Sequence, residues 1–254
     1  MNTNSNLYTV IYTSVVCVLV AAILAFVSQA LAPRQEANEK AETISQILTA
    51  AGFGEKADWD SKGNDAILNY YKEHVDKAFL IDAKGEECGV LDISKAEIVT
   101  VSGLKKQNYA VLDVLTGKRP IKDGSELCLP VYQFKDSTTV VPIYGAGLWG
   151  PVWGYIAFKK DLKTIKGAYF DHESETPGLG GKIKDDPTFR KQFNDSHPNF
   201  NGSKDEVFEI VKGGAPKDKE DNKIDAITGA TMTSNGLDNA IDNWLEVYKP
   251  FLNR

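Results

Sequence analysis

The chain opens with a long, unbroken apolar run. Residues 7–31 read LYTVIYTSVVCVLVAAILAFVSQAL, and no charged side chain occurs before Arg34. At about 1.5 Å of rise per helical residue, this run is long enough to cross a hydrocarbon core of about 30 Å with some tilt. A cleaved signal peptide is disfavoured, because no basic segment precedes the run and Pro33 would directly follow the small-residue site at 30–32. The pattern therefore predicts a retained transmembrane anchor over residues 1–33.

Two further stretches have the spacing of amphipathic helices. The first covers residues 34–52, and the second covers residues 65–78. Their shared feature is an apolar face, formed by Ile44, Ile47, Leu48 and Ala51 in the first and by Ile67, Tyr71, Val75 and Phe79 in the second. We therefore predict a helical stalk and connector over residues 34–78.

From residue 79 onward the pattern becomes that of short strands rich in Val, Ile, Tyr and Phe. The candidate strands are residues 79–82, 97–101, 128–134, 139–144, 152–158, 164–170, 206–212 and 223–227. A short helix is predicted at 187–193, with Asp185 or Asp186 near its N-cap and proline in its first turn. A final helix is predicted at 233–252. Strands that follow strands, with helices near the ends, predict an α+β domain over 79–254 with a mainly antiparallel sheet and flanking helices.

Charge, cysteine and histidine content and the absence of certain motifs argue against several classes of binding site. The net charge of −6 argues against a nucleic-acid partner. No C-x-x-C motif occurs, the three histidines are scattered, and no P-loop or G-x-G-x-x-G follows a predicted strand, so neither a metal site nor a nucleotide loop is predicted. Cys88 and Cys128 could pair in an oxidising compartment, but two buried free thiols are the favoured interpretation.

A hydroxyl-rich turn precedes the last predicted helix. Residues 225–234 read DAITGATMTS. The free backbone N–H groups and the positive dipole end of a helix N-terminus suit an anion at such a turn. On these residues alone, a helix start capped by Thr231 or Thr233, without a ligand, is the simpler interpretation.

Two glycine-rich loops precede this turn in the sequence. Residues 145–154 read GAGLWGPVWG, and residues 171–181 read DHESETPGLGG. In the first loop, the glycines permit either a tight hairpin whose tryptophans cover the core or a close backbone approach to a planar ligand. In the second loop, His172 and Glu173 suggest acid–base chemistry only weakly, because no nucleophile or metal cluster accompanies them.

In this order, the segments GAGLWGP, HESETPGLGG and TGATMTS resemble the covalent-FMN-binding domain family. This family includes the C subunit of Na⁺-translocating NADH:quinone reductases and the related G subunit of Rnf-type electron-transport complexes. The resemblance extends over nearly the whole chain, and the chain length and the segment GLWGPVWGY favour the first of these. The usual histidine segment is closer to HGETPGLG, so this chain carries one extra residue. Counted back from Thr176, Glu175 fits the acidic position of the family better than Glu173 does.

The resemblance implies that FMN is carried covalently on Thr233 through a phosphoester, with Thr231 and Ser234 as alternative acceptors. It implies that Leu148 and Leu179 lie against the two faces of the flavin ring. It also implies a supporting set of backbone and side-chain groups around the ring and the phosphate, which comprises Tyr144, Gly147, Trp149, Glu175, Thr176, Gly178, Thr228, Gly229, Ala230 and Thr231. No catalytic acid or base and no metal ligand is expected.

The implied function is that of an electron-transfer subunit, which passes single electrons between neighbouring subunits of a membrane complex. The implied partners are those subunits, membrane lipid, and a flavin transferase that uses FAD and Mg²⁺ outside the cytoplasm. The flavin domain is therefore expected on the periplasmic side of the inner membrane, although Arg34 and Lys40 lean weakly towards the opposite orientation. The alternatives are a membrane-anchored binding module without flavin, and a hydrolase that uses His172, for which no G-x-S-x-G motif is present.

Overall fold

The computed structural model describes residues 6–117, 127–201, 207–214 and 222–254. The chain divides into two compact units, Met1–Lys40 and Ala41–Arg254. Helix α1 spans Asn6–Ala50 and continues through Pro33, where the sequence predicts that the anchor ends. Among the described residues it is the one helix long and apolar enough to cross a membrane. The apolar side chains of its first part, such as Leu24 and Phe26, are exposed, as lipid-facing side chains would be.

The second unit contains six more helices and eight strands in its described part. The helices are α2 (Lys56–Asp60), α3 (Asn64–His74), α4 (Val101–Thr116), α5 (Lys182–Asp185), α6 (Pro187–Lys191) and α7 (Thr231–Leu252). The strands are β1 (Val75–Ile81), β2 (Glu87–Val90), β3 (Leu129–Phe134), β4 (Thr139–Ala146), β5 (Pro151–Phe158), β6 (Ile165–His172), β7 (Glu209–Val211) and β8 (Lys223–Asp225). A 3₁₀ turn, Ile93–Lys95, separates β2 from α4.

The main sheet has six strands in the order β2-β1-β3-β4-β5-β6. Every neighbouring pair in it is antiparallel, whereas β7 and β8 form a separate parallel pair. The predicted α+β class with a mainly antiparallel sheet is therefore confirmed. The long β4–β5 and β5–β6 pairings place the end of β4, the start of β5 and the end of β6 side by side.

Helix α7 supplies the largest apolar face against this sheet. Its buried side chains follow the helical period and include the predicted stripe of Leu237, Ile241, Trp244, Leu245 and Tyr248. Burying each of these large side chains stabilises the fold by about 1.5–3 kcal/mol. The polar tips are also satisfied, because the Tyr248 hydroxyl donates to the Pro130 carbonyl at 2.7 Å and Trp244 Nε1 donates to Asn108 Oδ1 at 3.0 Å. This helix is thereby fixed on the sheet along its length.

Three element predictions are wrong. Residues 97–100 form no strand, and α4 begins at Val101, because Leu104 and Val111 bury one helical face. The helix predicted for 65–78 ends at His74, since Val75 is extended and pairs with Phe134 in the sheet. The final helix starts at Thr231 with Ala230 as its N-cap, two residues earlier than predicted.

The other predicted elements are found within a few residues of their expected bounds. Strand β2 has no counterpart in the prediction, because it is a mostly exposed edge strand without apolar alternation. The predicted N-cap of α6 is confirmed, since the side chain of Asp186 accepts a hydrogen bond from Thr188 N. Glu206, at the start of the strand predicted for 206–212, lies outside the described residues.

Candidate functional site

The three motif segments meet at one end of the main sheet. The first is the turn between β4 and β5, the second follows β6, and the third leads into α7. Glycines allow α7 to lie directly against the end of β4. A Cβ at Gly236 would lie well inside contact distance of the Ala146 carbonyl, and a Cβ at Gly145 would lie 2.6 Å from Ala240 Cβ. The first turns of α7 are therefore held beside the β4–β5 turn.

Glu175 connects all three segments through its two carboxylate oxygens. The backbone N–H of Trp149 donates to Oε1 at 2.9 Å. The hydroxyl of Thr233 donates to Oε2 at 2.6 Å. Glu175 is 5% exposed and Thr233 is 1% exposed, so this is a buried polar contact in which both oxygens of the carboxylate have a partner.

Two glycines make room for this carboxylate. A Cβ at Gly147 would overlap Glu175 Oε1, and a Cβ at Gly180 would overlap Glu175 Oε2 and lie 2.5 Å from Thr233 Oγ1. Real Cβ atoms essentially never approach so closely. Gly147 and Gly180 are therefore explained by the space that Glu175 and Thr233 need.

The segment after β6 is ordered by its own short-range hydrogen bonds. Glu175 N donates to His172 Nδ1 at 3.1 Å, and Leu179 N and Gly181 N both donate to the Thr176 carbonyl, at 3.1 and 3.0 Å. Gly178 has a φ of +75°, which favours glycine. Ser174 Oγ also donates to the Trp149 carbonyl at 3.0 Å. The turn thus positions Glu175 between the other two segments, and His172 serves as a hydrogen-bond acceptor within it.

The hydroxyls of the third segment do not cap the helix. No side chain caps α7, and the Ala230 N-cap follows Gly229, which has a φ of +82°. Thr233 points its hydroxyl at Glu175, and Ser234 Oγ accepts from Ile227 N at 3.2 Å. The capping interpretation of Thr231 and Thr233 is therefore wrong. In the first turn of any helix the N–H groups lack an intrahelical partner, so this turn retains donors for an anion.

An exposed apolar patch surrounds the same place. Of the seven large apolar side chains that are exposed in the described part of residues 41–254, four belong to these segments, namely Leu148 at 49%, Trp149 at 66%, Leu179 at 44% and Met232 at 61%. The β4–β5 connection is indeed a tight hairpin, closed by the bond from Gly147 N to the Gly150 carbonyl at 2.8 Å. Of its two tryptophans, Trp153 packs against the core, whereas Trp149 is exposed and does not cover it. Clustered exposed apolar groups indicate a binding surface.

The remaining predicted residues border this patch. Thr228, Gly229, Thr176 and Gly178 are exposed, whereas Ala230 is buried and Thr231 is half-buried. A Cβ at Gly229 would lie 3.1 Å from Leu179 Cδ2, so the second and third segments touch there as well. Tyr144 is 6% exposed and lies opposite Trp153 in the β4–β5 pair. Burial raises the pKa of its hydroxyl, with smaller contributions from Glu173 and Tyr109.

A second buried carboxylate, which sequence reasoning missed, lies at the end of β6. Asp171 accepts from Gln46 Nε2 at 2.9 Å, from His172 N at 2.8 Å and from Lys184 Nζ at 3.0 Å. Trp153 Nε1 donates to Gln46 Oε1 at 3.1 Å and extends the network. Burial raises the pKa of Asp171, although Lys184 acts in the opposite direction. No sequence signal indicates this cluster, because Gln46 and Asp171 are 125 positions apart.

The site fits a ligand with a planar apolar body and an anionic group. Exposed Leu, Trp and Met side chains suit the apolar body, while the start of α7 and its hydroxyls suit a phosphate. Within the described residues no group of three or more His, Cys, Asp or Glu side chains is arranged to hold a metal ion.

Two concavities of the described structure lie away from the motif segments. One, of about 330 Å³, is lined by residues such as Thr49, Glu55 and Arg190, and the other, of about 360 Å³, by residues such as Asp76 and Lys160. Both have mixed charges and lack a cluster of hydroxyls or exposed apolar side chains.

Comparisons with known proteins agree with this placement. Residues 147–246 match the family model of the FMN-binding domain, which begins in the β4–β5 turn and ends within α7. The C subunit of the Na(+)-translocating NADH-quinone reductase of Vibrio anguillarum is 28% identical over 258 residues, which cover 94% of this chain and 89% of that protein.

Two solved structures share the fold. The crystal structure of the C subunit of the Na(+)-translocating NADH-quinone reductase from Parabacteroides distasonis superposes with a TM-score of 0.66 at 27% identity, over 88% of this chain and 98% of that one. The crystal structure of NqrC from Shewanella oneidensis superposes with a TM-score of 0.63 at 27% identity, over 85% of this chain and 97% of that one. These findings confirm the resemblance that the three motifs indicated.

Proposed function

We propose that this chain, which is a homologue of the C subunit of the Na(+)-translocating NADH-quinone reductases and contains an FMN-binding domain, carries covalent FMN and passes single electrons between neighbouring subunits of such a complex. FMN supplies the one-electron redox chemistry of such a subunit. The role of the protein is to hold the flavin, exclude water from one side of it and leave an edge accessible to partner centres.

The observation that carries this proposal is the convergence on Glu175. One carboxylate holds the turn of Trp149 and the hydroxyl of Thr233 together, and exposed Leu148 and Leu179 flank the place where they meet. Thr233 would bear the phosphoester, and the first turn of α7 would face the phosphate. The positive end of the helix dipole would stabilise the phosphate charge by about 0.3–1 kcal/mol if it is exposed.

The hydroxyl of Thr233 must change its hydrogen bonding and become exposed before it can accept a phosphate. Its hydroxyl is buried, is bonded to Glu175 and lies beneath Gly180. Attachment therefore requires the hydroxyl to leave Glu175 and the segment around Gly180 to move aside. Once the ester forms, Thr233 Oγ1 has no proton to donate, so the contact with Glu175 belongs to the unmodified chain.

We place the flavin domain outside the cytoplasm and α1 in the membrane. The apolar residues of α1 support a single-pass anchor. The external flavin transferase that the motif resemblance implies would require the domain to lie on this side of the membrane. Other subunits of the complex would meet the domain at the exposed apolar patch. Trp149 and Met232 there are more exposed than Leu148 and Leu179 and would be the first to touch a partner.

The test is intact mass spectrometry of the full chain, produced with and without a flavin transferase that is supplied with FAD and Mg²⁺. We expect a mass gain of FMN minus water in the wild-type chain and none in Thr233→Ala. The matched control is Thr231→Ala, which removes a half-buried hydroxyl two positions away and should leave the gain intact.

Two outcomes would count against the proposal in different ways. If Thr233→Ala still gains the flavin mass, FMN is covalently bound but the acceptor is another hydroxyl. If no chain gains mass with an active transferase, the covalent flavoprotein proposal fails.

A further inference from the structure

Two cysteines far apart in the sequence are neighbours in the fold. Cys88 lies in β2, Cys128 directly precedes β3, and their Sγ atoms are 3.6 Å apart. Both strands pair with β1, from its two sides. The β1–β2 register shifts between Leu80, opposite Gly89, and Ile81, opposite Glu87, so Cys88 is the extra residue of a β-bulge. A bulge frees a residue from the ladder and redirects its side chain, which explains how Cys88 approaches a strand that is not its neighbour.

We propose that Cys88 and Cys128 form a disulfide when the folded chain meets a thiol–disulfide oxidant. One thiol loses its proton and attacks a sulfur of the oxidant's disulfide, which releases a thiol of the oxidant. The second cysteine then attacks the mixed disulfide, forms the Cys88–Cys128 bond and releases the other thiol of the oxidant. Two protons and two electrons leave the cysteine pair, and the oxidant is reduced to two thiols.

The surroundings of the pair allow this reaction. Cys88 is exposed and Cys128 is half-buried, so an oxidant can reach the first and the second can resolve the mixed disulfide. Partial burial and the contact with Cys128 raise the pKa of the Cys88 thiol, so spontaneous exchange at neutral pH is slow. Exchange with a disulfide oxidant is therefore faster at mildly alkaline pH, where a larger fraction of the thiol is ionised.

The bond would fix the edge of the sheet. Strand β2 is the edge strand and pairs only with β1 in the described structure. A link from Cys88 to Cys128 closes a loop of 40 residues that contains α4, and α4 is held to α7 by the bond from Trp244 Nε1 to Asn108. A cross-link over a loop of this size restricts the unfolded chain and stabilises the fold.

The experiment uses the full chain in detergent with oxidised glutathione as the oxidant. After incubation, free thiols are trapped with N-ethylmaleimide and the intact mass is measured. The expected result is one maleimide adduct, on Cys17, against three adducts in the untreated chain, with a linked Cys88–Cys128 peptide in the digest. Cys17→Ser should form the same link, whereas Cys88→Ser and Cys128→Ser should each retain an unpaired thiol or carry glutathione.

Reduction provides the second readout. The oxidised chain should unfold at a higher denaturant concentration than the same chain with reductant, and Cys88→Ser should show no such difference. If maleimide still labels both thiols after oxidation, or if glutathione adds to each without linking them, the proposal is wrong. None of these results depends on flavin attachment, so the proposed function is tested separately.

Discussion

Asp171 and Glu175 are two buried carboxylates only four positions apart, yet their surroundings differ in kind. Asp171 has a permanent set of partners, which includes the cation of Lys184 and the amide of Gln46. Glu175 accepts from neutral donors, a backbone N–H and the hydroxyl of Thr233. The partners of Asp171 are unaffected by the proposed function. Glu175, in contrast, bonds to the hydroxyl of Thr233, which the proposed function would convert into a phosphoester.

The packing around the two carboxylates shows the same difference. Asp171 is enclosed by side chains, among them Trp153, whose indole binds Gln46. Glu175 is enclosed largely by glycine backbone at Gly147 and Gly180. Side-chain packing resists change, since it is dense and interlocked. Glycine-rich backbone permits a segment to move once its hydrogen bonds are broken. Burial alone therefore does not distinguish a structural carboxylate from one at a functional site, whereas the groups that it bonds to do.

The largest expected effect concerns Asp171. Asp171→Ala removes an acceptor from the buried Gln46 Nε2 and from the half-buried His172 N, and it takes the counter-charge from Lys184. Loss of a buried charged acceptor of this kind is costly. We expect the free energy of unfolding to fall by about 3 kcal/mol, measured by urea titration with tryptophan fluorescence. The matched control is Glu87→Ala, which removes an exposed ion pair with Lys77 and should cost less than about 1 kcal/mol. If both variants lost the same free energy of unfolding, Asp171 would not have the structural role assigned to it.

The second prediction separates Glu175 from Asp171 by a thermodynamic cycle. In the unmodified chain, Glu175→Ala strands the hydroxyl of Thr233 and the N–H of Trp149, at a cost of about 2 kcal/mol. In the flavin-loaded chain the cost should be smaller, because an esterified Thr233 has no proton to donate. Asp171→Ala should cost nearly the same in both forms, because Asp171 bonds to Gln46, His172 N and Lys184 and makes no bond to Thr233. If Glu175→Ala costs the same in both forms, the Thr233 contact is not affected by the modification, and the distinction between the carboxylates fails.

The third prediction tests the glycine packing. Gly180→Ala places a methyl group against Glu175 Oε2 and Thr233 Oγ1, so the segment must shift, at a cost of about 1–2 kcal/mol. Gly63→Ala is the matched control, because a Cβ there meets no atom within 4 Å and its φ of −71° is ordinary. Because Gly63 is the N-cap of α3 and alanine caps less well than glycine, we expect the control to cost less than about 1 kcal/mol. Identical melting curves for the two variants would show that Gly180 is not packed against the pair.

Much of the fold follows from local pattern. The apolar run of α1, the β-rich segments that became β3 to β6, and the stripe of Leu237 and Trp244 in α7 are all legible in the sequence, because each buries or exposes a regular face. Edge strand β2 was missed because it is mostly exposed. The start of α4 was assigned to a strand because the residues at 98–101 that lead into it, IVTV, are all β-branched. These elements are determined by tertiary packing, which overrides local propensity.

The site was predictable only in its parts. Ordered motifs named Thr233, Leu148 and Leu179, and counting from Thr176 favoured Glu175 over Glu173. Glu175 is indeed buried while Glu173 is exposed. The bond between Glu175 and Thr233 joins residues 58 positions apart, so no local pattern contains it. The same holds for Gln46 with Asp171. The sequence indicates which groups belong to a site, whereas the folded chain determines which of them touch.

The smallest expected effect is a pH dependence at Asp171. Its pKa is raised because burial outweighs the attraction of Lys184, so the folded chain holds this proton to higher pH than the unfolded chain does. The stabilisation linked to that proton is complete below the unfolded value of 3.8 and is lost as pH rises through the raised pKa. Lys184 and His172 also face this carboxyl, so the comparison must be with Asp171→Asn, which keeps both neighbours and cannot titrate. The stability of the wild type minus that of Asp171→Asn should decline as pH increases from about 4 towards neutrality, measured by urea titration at each pH. A rising difference would mean that the ion pair outweighs burial, and Asp171 would then be an ordinary salt-bridge partner.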